Sequence, residues 1–170
     1  MPALFAKDSK GNPQYILTQE FNTSCGPASV AMAEDNYKQA CMVDPEGRAR
    51  QLSQKYPGNW TIAGGSDVTN LSDVLNAEGV KADKAIYVGP ALVYSFLAVF
   101  ARETTPVIIH ISWTPSGGHF VVCKQIDPDG TVVFLDPWYG LVDVAGGTLP
   151  AYNPSGTTGQ TSGWLVITRR

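Results

Sequence analysis

The sequence has few cysteines, and no two of them are spaced to share a site. Three cysteines occur among the 170 residues, at positions 25, 41 and 123, and no Cys-x-x-Cys pair is present. An odd number without such a pair argues against a disulfide framework and against a structural zinc site. We therefore expect a protein of a reducing compartment that needs neither a metal nor a cofactor.

Runs of Lys or Arg and long apolar stretches are also missing. The formal net charge at pH 7 is −3, with 12 Lys and Arg against 15 Asp and Glu. Nucleic-acid surfaces and basic membrane-binding faces need clustered positive charge, so we expect neither partner. Because no apolar stretch reaches the length of a membrane span, we also expect no membrane insertion.

The first residues do not read as an export signal. Met1 to Asp8 lack the basic start and the continuous apolar core of a signal peptide. We therefore expect synthesis in the cytoplasm, although a dedicated secretion system could export the protein without such a mark. The length predicts a single domain over residues 1–170, large enough for a hydrophobic core, and we expect a monomer.

The run from Gln19 to Ser29, Gln-Glu-Phe-Asn-Thr-Ser-Cys-Gly-Pro-Ala-Ser, carries the strongest chemical signal. Thr23 and Ser24 are good N-cap residues, and the residues after them favour a helix over roughly 25–40. Cys25 is therefore expected in the first turn of a helix. The free N–H groups and the positive end of the helix dipole stabilise a thiolate there, which makes Cys25 the candidate nucleophile.

A cysteine nucleophile needs a base, and the sequence contains two histidines. His110 lies in a run of Val and Ile and is interpreted as structural, whereas His119 follows two glycines at the start of a strand-like run. Asp136 ends the next strand-like run, and Asp127-Pro-Asp-Gly between the two runs is a turn. The two strands should form a hairpin with His119 and Asp136 near its open end, so that the carboxylate can reach the imidazole.

Other residues compete for these roles. Asp127 and Asp143 are alternatives to Asp136, but the turn needs Asp127, and Asp143 lies one strand further on. Cys41 and Cys123 are interpreted as small buried side chains, because neither has a helix start beside it. Trp113 and Trp138 are expected to be core or cleft-wall aromatics, and either could line a substrate pocket.

The hydrophobic period changes near Pro106. Helical patterns precede it, over about 25–40, 45–55, 66–79 and 90–103, and β-branched runs follow it, at 107–113, 120–126, 131–135 and 163–168. Residues 80–88 favour a further strand, and the stretch 148–162, rich in Gly, Pro, Ser and Thr, favours a long surface loop. This order predicts an α+β fold in which the helix that begins at Cys25 packs on an antiparallel sheet.

Four blocks of the sequence together resemble the papain-like cysteine peptidase superfamily. They are Gln19, Cys25-Gly-Pro-Ala-Ser, Gly118-His-Phe-Val-Val and Asp136-Pro-Trp, in this order over roughly residues 14–144. Gly-Pro follows the cysteine and 94 residues separate it from the histidine. The chain is therefore most similar to the compact branch, namely the peptidase domains of bacteriocin-processing transporters and small bacterial effector proteases. The resemblance implies a papain-like fold and a peptide or protein substrate.

The resemblance also implies a Cys-His-Asp triad that cleaves a peptide bond through an acyl-enzyme. Cys25 would be the nucleophile, His119 the base and later the acid to the leaving amine, and Asp136 the group that orients the ring. Gln19, with Gln14 as a nearby alternative, would offer its side-chain amide beside the Cys25 backbone N–H as an oxyanion hole.

Two other functions stay open at this point. The same triad could attack a side-chain or cell-wall amide in a bacterial deamidase, transglutaminase or peptidoglycan amidase toxin, which would bring a cognate inhibitor or immunity protein as a partner. A non-catalytic binding module with the same fold is less favoured. Such a module is expected to lack the cysteine, the histidine or the glutamine, and this sequence contains all of them.

Overall fold

A computed structural model describes residues 4–19, 21–40, 45–58, 60–61 and 65–170. The prediction for Cys41 lies outside these residues. The helices are α1 (Cys25–Lys38), α2 (Pro45–Lys55), α3 (Val68–Ala77) and α4 (Val93–Phe100). The strands are β1 (Leu4–Lys7), β2 (Pro13–Ile16), β3 (Trp60–Thr61), β4 (Gly65–Ser66), β5 (Ile86–Tyr87), β6 (Val107–Trp113), β7 (Gly118–Ile126), β8 (Thr131–Asp136), β9 (Gly140–Ala145) and β10 (Gly159–Ile167).

The centre of the fold is a six-stranded antiparallel sheet in the order β5-β10-β6-β7-β8-β9. Two small hairpins, β1–β2 and β3–β4, lie beside it. The helices come mainly before the sheet strands in the chain. The predicted α+β class is therefore confirmed, with the change from helices to strands at the predicted position.

Helices cover both faces of this sheet, and the period of two along each strand sorts the side chains between them. One set of buried strand residues packs with α1 and α3, and it includes Ile108, Val122, Leu135 and Val166. The side chains that alternate with these point to the other face and pack with α4, and they include Ile109, Val121, Phe134 and Leu165. Each fully buried aliphatic side chain of this kind contributes about 1.5–3 kcal/mol relative to an exposed one.

The strands β7 and β8 form the predicted hairpin. Its turn is closed by a hydrogen bond of 2.8 Å from the Gly130 N–H to the Asp127 carbonyl. Gly130 has a φ of +86°, which only glycine adopts without strain. A register shift between Cys123 and Gln125 marks a bulge in β7, which lets strand segments of unequal length pair over their whole extent.

Two predictions of local structure were right only in part. Within 80–88 the strand is limited to Ile86 and Tyr87, with an isolated bridge from Ala82 to Thr168, because the start of the segment is used to end α3: the Val80 N–H donates to the Leu75 carbonyl at 2.9 Å. The stretch 148–162 is not only a surface loop. Tyr152 is fully buried, and β10 begins inside the stretch at Gly159.

A further strand, β9, lies at the edge of the sheet beside β8. Among the described residues, no helix combines the length and the apolar character that a membrane crossing requires.

Candidate active site

Cys25 is the first residue of α1 and is 6% exposed. Ser24 occupies the N-cap position, but its side chain does not cap the helix. Its hydroxyl instead donates to the Phe21 carbonyl at 2.8 Å and accepts from the Phe21 N–H at 3.0 Å. Ser24 therefore closes the turn that leads into the helix and leaves the positive end of the helix dipole beside Cys25.

The start of α1 is held against the sheet by small residues. The Ser29 hydroxyl donates to the Phe120 carbonyl at 3.1 Å, and Phe120 directly follows His119. A side chain at Gly26 would overlap with Ser66 of the neighbouring hairpin, so glycine is the residue that lets the helix approach so closely. The first contact fixes the start of α1 in relation to the strand that carries the histidine, and the second in relation to the β3–β4 hairpin.

His119 lies near the start of β7 and is 5% exposed. Its Nε2 is 2.8 Å from Asp136 Oδ1, and the Cys25 side chain lies near enough to the imidazole to raise its pKa. Since Asp136 occupies Nε2, Nδ1 is the nitrogen that remains for the sulfur. The Trp113 ring stacks on the imidazole with a centroid distance of 5.8 Å and an angle of 29°.

The hairpin register explains why this contact forms. Val122 pairs with Leu135, which places Asp136 opposite Val121. His119 is two residues from Val121 on the same face of the sheet, so the carboxylate and the imidazole are diagonal neighbours across two strands. Long side chains on such a diagonal reach each other, and the structure brings the predicted pair together in this way.

The surroundings of His119 favour the protonated imidazole. Burial by itself lowers the pKa, but the hydrogen bonds to Asp136 and Cys25 and their negative charges outweigh burial and raise the pKa of His119 to about 9. At neutral pH the ring is therefore mainly an imidazolium. An imidazolium beside a cysteine sulfur at a helix start is the arrangement that stabilises a thiolate.

Asp136 is fully buried and receives four hydrogen bonds. Its Oδ1 accepts from His119 and from the backbone N–H groups of Trp138 at 2.7 Å and Tyr139 at 3.0 Å. Its Oδ2 accepts from the Tyr152 hydroxyl at 2.7 Å. These donors satisfy a buried carboxylate that would otherwise be costly to remove from water.

Gln19 is 3% exposed. Its backbone N–H donates to the Pro137 carbonyl at 2.8 Å, and its side-chain Nε2 donates to the Phe21 carbonyl at 2.7 Å. An amide nitrogen carries two hydrogens, so one remains after the bond to Phe21. The alternative glutamine, Gln14, is committed elsewhere, because its side chain accepts from Lys124 at 2.7 Å.

The competing residues are used for other contacts. Asp127 accepts from the Gln125 side chain at 2.7 Å, within the turn, and Asp143 accepts from the Ser9 N–H at 2.7 Å. Cys123 is fully buried in the core, and burial raises the pKa of its thiol, as expected for a structural cysteine.

His110 is also accounted for by structural contacts. It is half-buried, its Nδ1 is 2.9 Å from the Ser162 hydroxyl, and burial lowers its pKa. Its ring covers Gly118, where an added side chain would overlap with it.

A model of the Peptidase C39 family matches residues 14–145 of the chain. The chain belongs to this family. It is a cysteine peptidase, and the resemblance to papain-like peptidases that its motifs indicate is confirmed. No curated protein matches the chain.

Two solved structures are similar to this C39 peptidase. One is a double glycine motif protease from an AMS/PCAT transporter in complex with the leader peptide, with a TM-score of 0.57, 22% sequence identity and coverage of 91% of each chain. The other is the Pseudomonas avirulence protein AvrPphB, with a TM-score of 0.48, 12% identity and coverage of 78% of this chain and 81% of that chain. The first similarity shows that the C39 peptidase has the papain-like fold.

A pocket of about 300 Å³ opens beside the start of α1 in the C39 peptidase. It lies between the turn that precedes Cys25 and the helix α2, and it is mainly apolar. Its lining residues are Thr18, Gln19, Phe21, Thr23, Ser24, Pro27, Ala28, Ala49, Arg50, Ser53, Gln54, Pro57 and Trp60. Because Gln19 and Ser24 belong to this lining, the pocket is continuous with the surroundings of the sulfur.

The structure shows where the two predicted aromatic residues, Trp113 and Trp138, lie. Trp113 stacks on His119 and belongs to the wall of the site, and Trp138 is 48% exposed directly after the loop residue Pro137. Tyr152 was missed by the sequence reasoning. The signal that could have found it is a single large aromatic side chain in a stretch of small and polar residues, which favours burial.

Proposed function

We propose that this C39 peptidase cleaves a peptide bond through an acyl-enzyme, with Cys25 as nucleophile, His119 as acid and base, and Asp136 as the orienting group. The observation that carries the proposal is the continuous contact from the Cys25 side chain through His119 to the buried Asp136. A cysteine peptidase needs a sulfur beside an imidazole, because the imidazole must exchange protons with both the sulfur and the leaving amine, and a third group that orients the ring.

The proposed reaction begins with attack of the Cys25 sulfur on the carbonyl carbon of the substrate. The C=O electron pair moves to the oxygen, and the tetrahedral intermediate carries the negative charge there. His119 then gives its proton to the amine nitrogen, the C–N bond breaks, and a thioester to Cys25 remains. Water attacks this thioester while His119 takes its proton, and the carboxylic acid leaves as the C–S bond breaks.

Gln19 is proposed as one donor of the oxyanion hole, together with the Cys25 backbone N–H. Three features support this role: the burial of Gln19, its position at the pocket that borders the sulfur, and the side-chain bond to Phe21. That bond fixes the amide plane in advance, and a donor held in place before reaction stabilises a developing oxyanion most effectively.

The proposed substrate is a peptide with an apolar side chain near the cleaved bond. The mainly apolar pocket beside Gln19 and Ser24 is large enough for such a side chain. The similar protease of known structure is a double glycine motif protease that binds a leader peptide. A peptide with a double-glycine site preceded by apolar residues is therefore the first substrate to test.

The test compares the wild type with Cys25→Ala on such peptides, with the products identified by mass spectrometry. We expect cleavage by the wild type only, and at early times a thioester adduct on Cys25. Cys123→Ala is the matched control, since Cys123 is buried away from the site and should leave cleavage intact. Cleavage by Cys25→Ala would refute the proposal. Release of ammonia without chain cleavage would indicate a deamidase or transglutaminase reaction instead.

A further inference from the structure

Asp136 has one hydrogen-bond partner that lies outside the stretch matched by the family. The match ends at residue 145, and Tyr152 follows seven residues later. We propose that Tyr152 is a positioning residue of the active site, which holds the Asp136 carboxylate in the orientation that keeps His119 aligned with Cys25. This inference rests on the proposed function, because the alignment serves the proposed triad.

The two carboxylate oxygens of Asp136 are held differently. Oδ1 accepts hydrogen bonds from His119 and from the backbone N–H groups of Trp138 and Tyr139. Oδ2 receives, among the described residues, the Tyr152 hydroxyl at 2.7 Å. Without this hydroxyl the carboxylate could rotate about its Cβ–Cγ bond, because every remaining donor acts on one oxygen. The hydroxyl therefore fixes the angle at which Oδ1 meets the imidazole.

The fold holds Tyr152 firmly enough for this task. Its side chain is fully buried and packs edge-on against Phe134, at a centroid distance of 5.3 Å and an angle of 86°. Its backbone N–H donates to the Gly159 carbonyl at 2.9 Å, which ties the segment to the start of β10. A side chain at Gly159 would overlap with Trp113, the ring that packs on both Tyr152 and His119.

Tyr152 acts through a hydrogen bond and not through a charge. Burial, together with the charge of Asp136, raises the pKa of Tyr152 well above its ordinary value, so the phenol stays protonated over the working pH range. The other titratable groups that face this cluster are Cys25 from α1, His119 from β7 and Tyr139 from the loop after β8. Among these groups His119 is the one whose titration reports on the position of the carboxylate.

The experiment is a pH titration of the histidine imidazoles by NMR with 15N-labelled histidine. The chain contains two histidines, and His110→Asn assigns their signals. In Tyr152→Phe the ring packing is kept and the hydroxyl is lost. We expect the pKa of His119 to fall by about one unit, which is a tenfold change in its ionisation constant, because a less fixed carboxylate stabilises the imidazolium less.

Phe134→Leu is the control for packing, since it loosens the contact with the Tyr152 ring but keeps the hydroxyl. It should lower the melting temperature and leave the His119 titration in place. The proposal is overturned if the Tyr152→Phe titration coincides with that of the wild type, or if Phe134→Leu shifts it equally. The titration needs no substrate, so this result is independent of whether the peptides above are cleaved.

Where a peptide is cleaved, Tyr152→Phe should lower kcat about tenfold and leave KM unchanged, because the phenol contacts Asp136 and not the substrate. An increase in KM with unchanged kcat would assign Tyr152 to substrate binding and would also overturn the proposal.

Discussion

The two histidines of this peptidase lie on neighbouring strands, yet their surroundings shift their pKa values in opposite directions. His110 on β6 is half-buried and its ring bonds to a neutral hydroxyl, that of Ser162. His119 on β7 is more deeply buried but contacts the Asp136 carboxylate and the Cys25 side chain. Burial lowers the pKa of His110, whereas the anionic partners raise that of His119 to about 9.

This difference shows what makes a histidine available for acid and base chemistry in this fold. Desolvation opposes the charged form at both positions, so burial alone yields a neutral structural histidine. At His119 the carboxylate of Asp136, at the end of β8, reverses this effect and favours the charged imidazole. His110 is near enough for the charge of His119 to lower its pKa further, which keeps the positive charge on one ring.

The largest expected effect comes from Asp136→Asn, which should give His119 the properties of His110. The amide keeps the shape of the side chain but cannot stabilise an imidazolium as a carboxylate does. We expect the pKa of His119 to fall, because the carboxylate that raises it is lost while burial, which lowers it, remains. Peptide cleavage should fall by roughly 10⁴-fold, the size of the effect when the orienting aspartate of a triad is changed to asparagine.

The measurements are the histidine titration and kcat/KM, with Asp143→Asn as the matched control. Asp143 lies on the edge strand β9 and accepts from the Ser9 N–H. Its substitution should change neither the titration of His119 nor kcat/KM. If His119 still titrates near pH 9 in Asp136→Asn, Asp136 is not the source of the raised pKa.

The next prediction separates an effect on the rate of cleavage from an effect on the ionisation of His119. Gln19→Ala should lower kcat by roughly 10²–10³-fold, as expected for the loss of one oxyanion donor, and should leave the His119 titration unchanged. Gln14→Ala, the control, removes a buried amide that bonds to Asp8 at 2.8 Å, and should lower stability without lowering kcat. A shift of the His119 titration in Gln19→Ala would mean that Gln19 supports the triad and does not act on the substrate.

A third effect concerns the free energy of unfolding as a function of pH. His119 has a raised pKa in the folded state, so its stabilisation is complete below 6.5 and is lost as the pH rises through about 9. The loss should reach up to about 3 kcal/mol. It is measured by urea unfolding in the wild type and in the Cys25→Ser background, where the thiol no longer titrates and the loss should be smaller because Cys25 no longer raises the pKa of His119.

His110 should act in the opposite direction. Its pKa is lowered on folding, so its contribution is present above 6.5 and lost as the pH falls below that value. Adding Asp136→Asn to the Cys25→Ser background should abolish the alkaline loss and leave the acidic one. An alkaline loss of the same size in both backgrounds would refute this assignment.

The local sequence was sufficient to predict the hairpin that brings His119 and Asp136 together. The Asp127-Pro-Asp-Gly turn fixes which strands pair, and the number of residues on each side brings His119 and Asp136 to the same end. Cys25 was predictable because helix starts have their own residue preferences. The roles of both strand residues also depended on the resemblance to a family, since a turn alone assigns no chemistry.

Contacts between distant segments could not be predicted. Tyr152 reaches Asp136 because the segment after β9 folds back on β10, and no residue preference encodes such a return. The prediction of a surface loop at 148–162 was right only in part because Gly and Pro mark turns, whether those turns lie over solvent or over a core. Ser24 was expected to cap α1, but its hydroxyl had the Phe21 carbonyl within reach.

The smallest effect is predicted at the structural histidine. Ser162→Ala removes the hydroxyl that lies 2.9 Å from His110 Nδ1 and should lower the free energy of unfolding by about 1 kcal/mol, the usual value of one such hydrogen bond. It should change neither the titration of His119 nor kcat, since neither residue touches the triad. Urea unfolding and the histidine titration test this together. A fall in kcat of tenfold or more in Ser162→Ala would show that His110 takes part in the reaction. Both histidines would then be functional, and they would differ only in what each does.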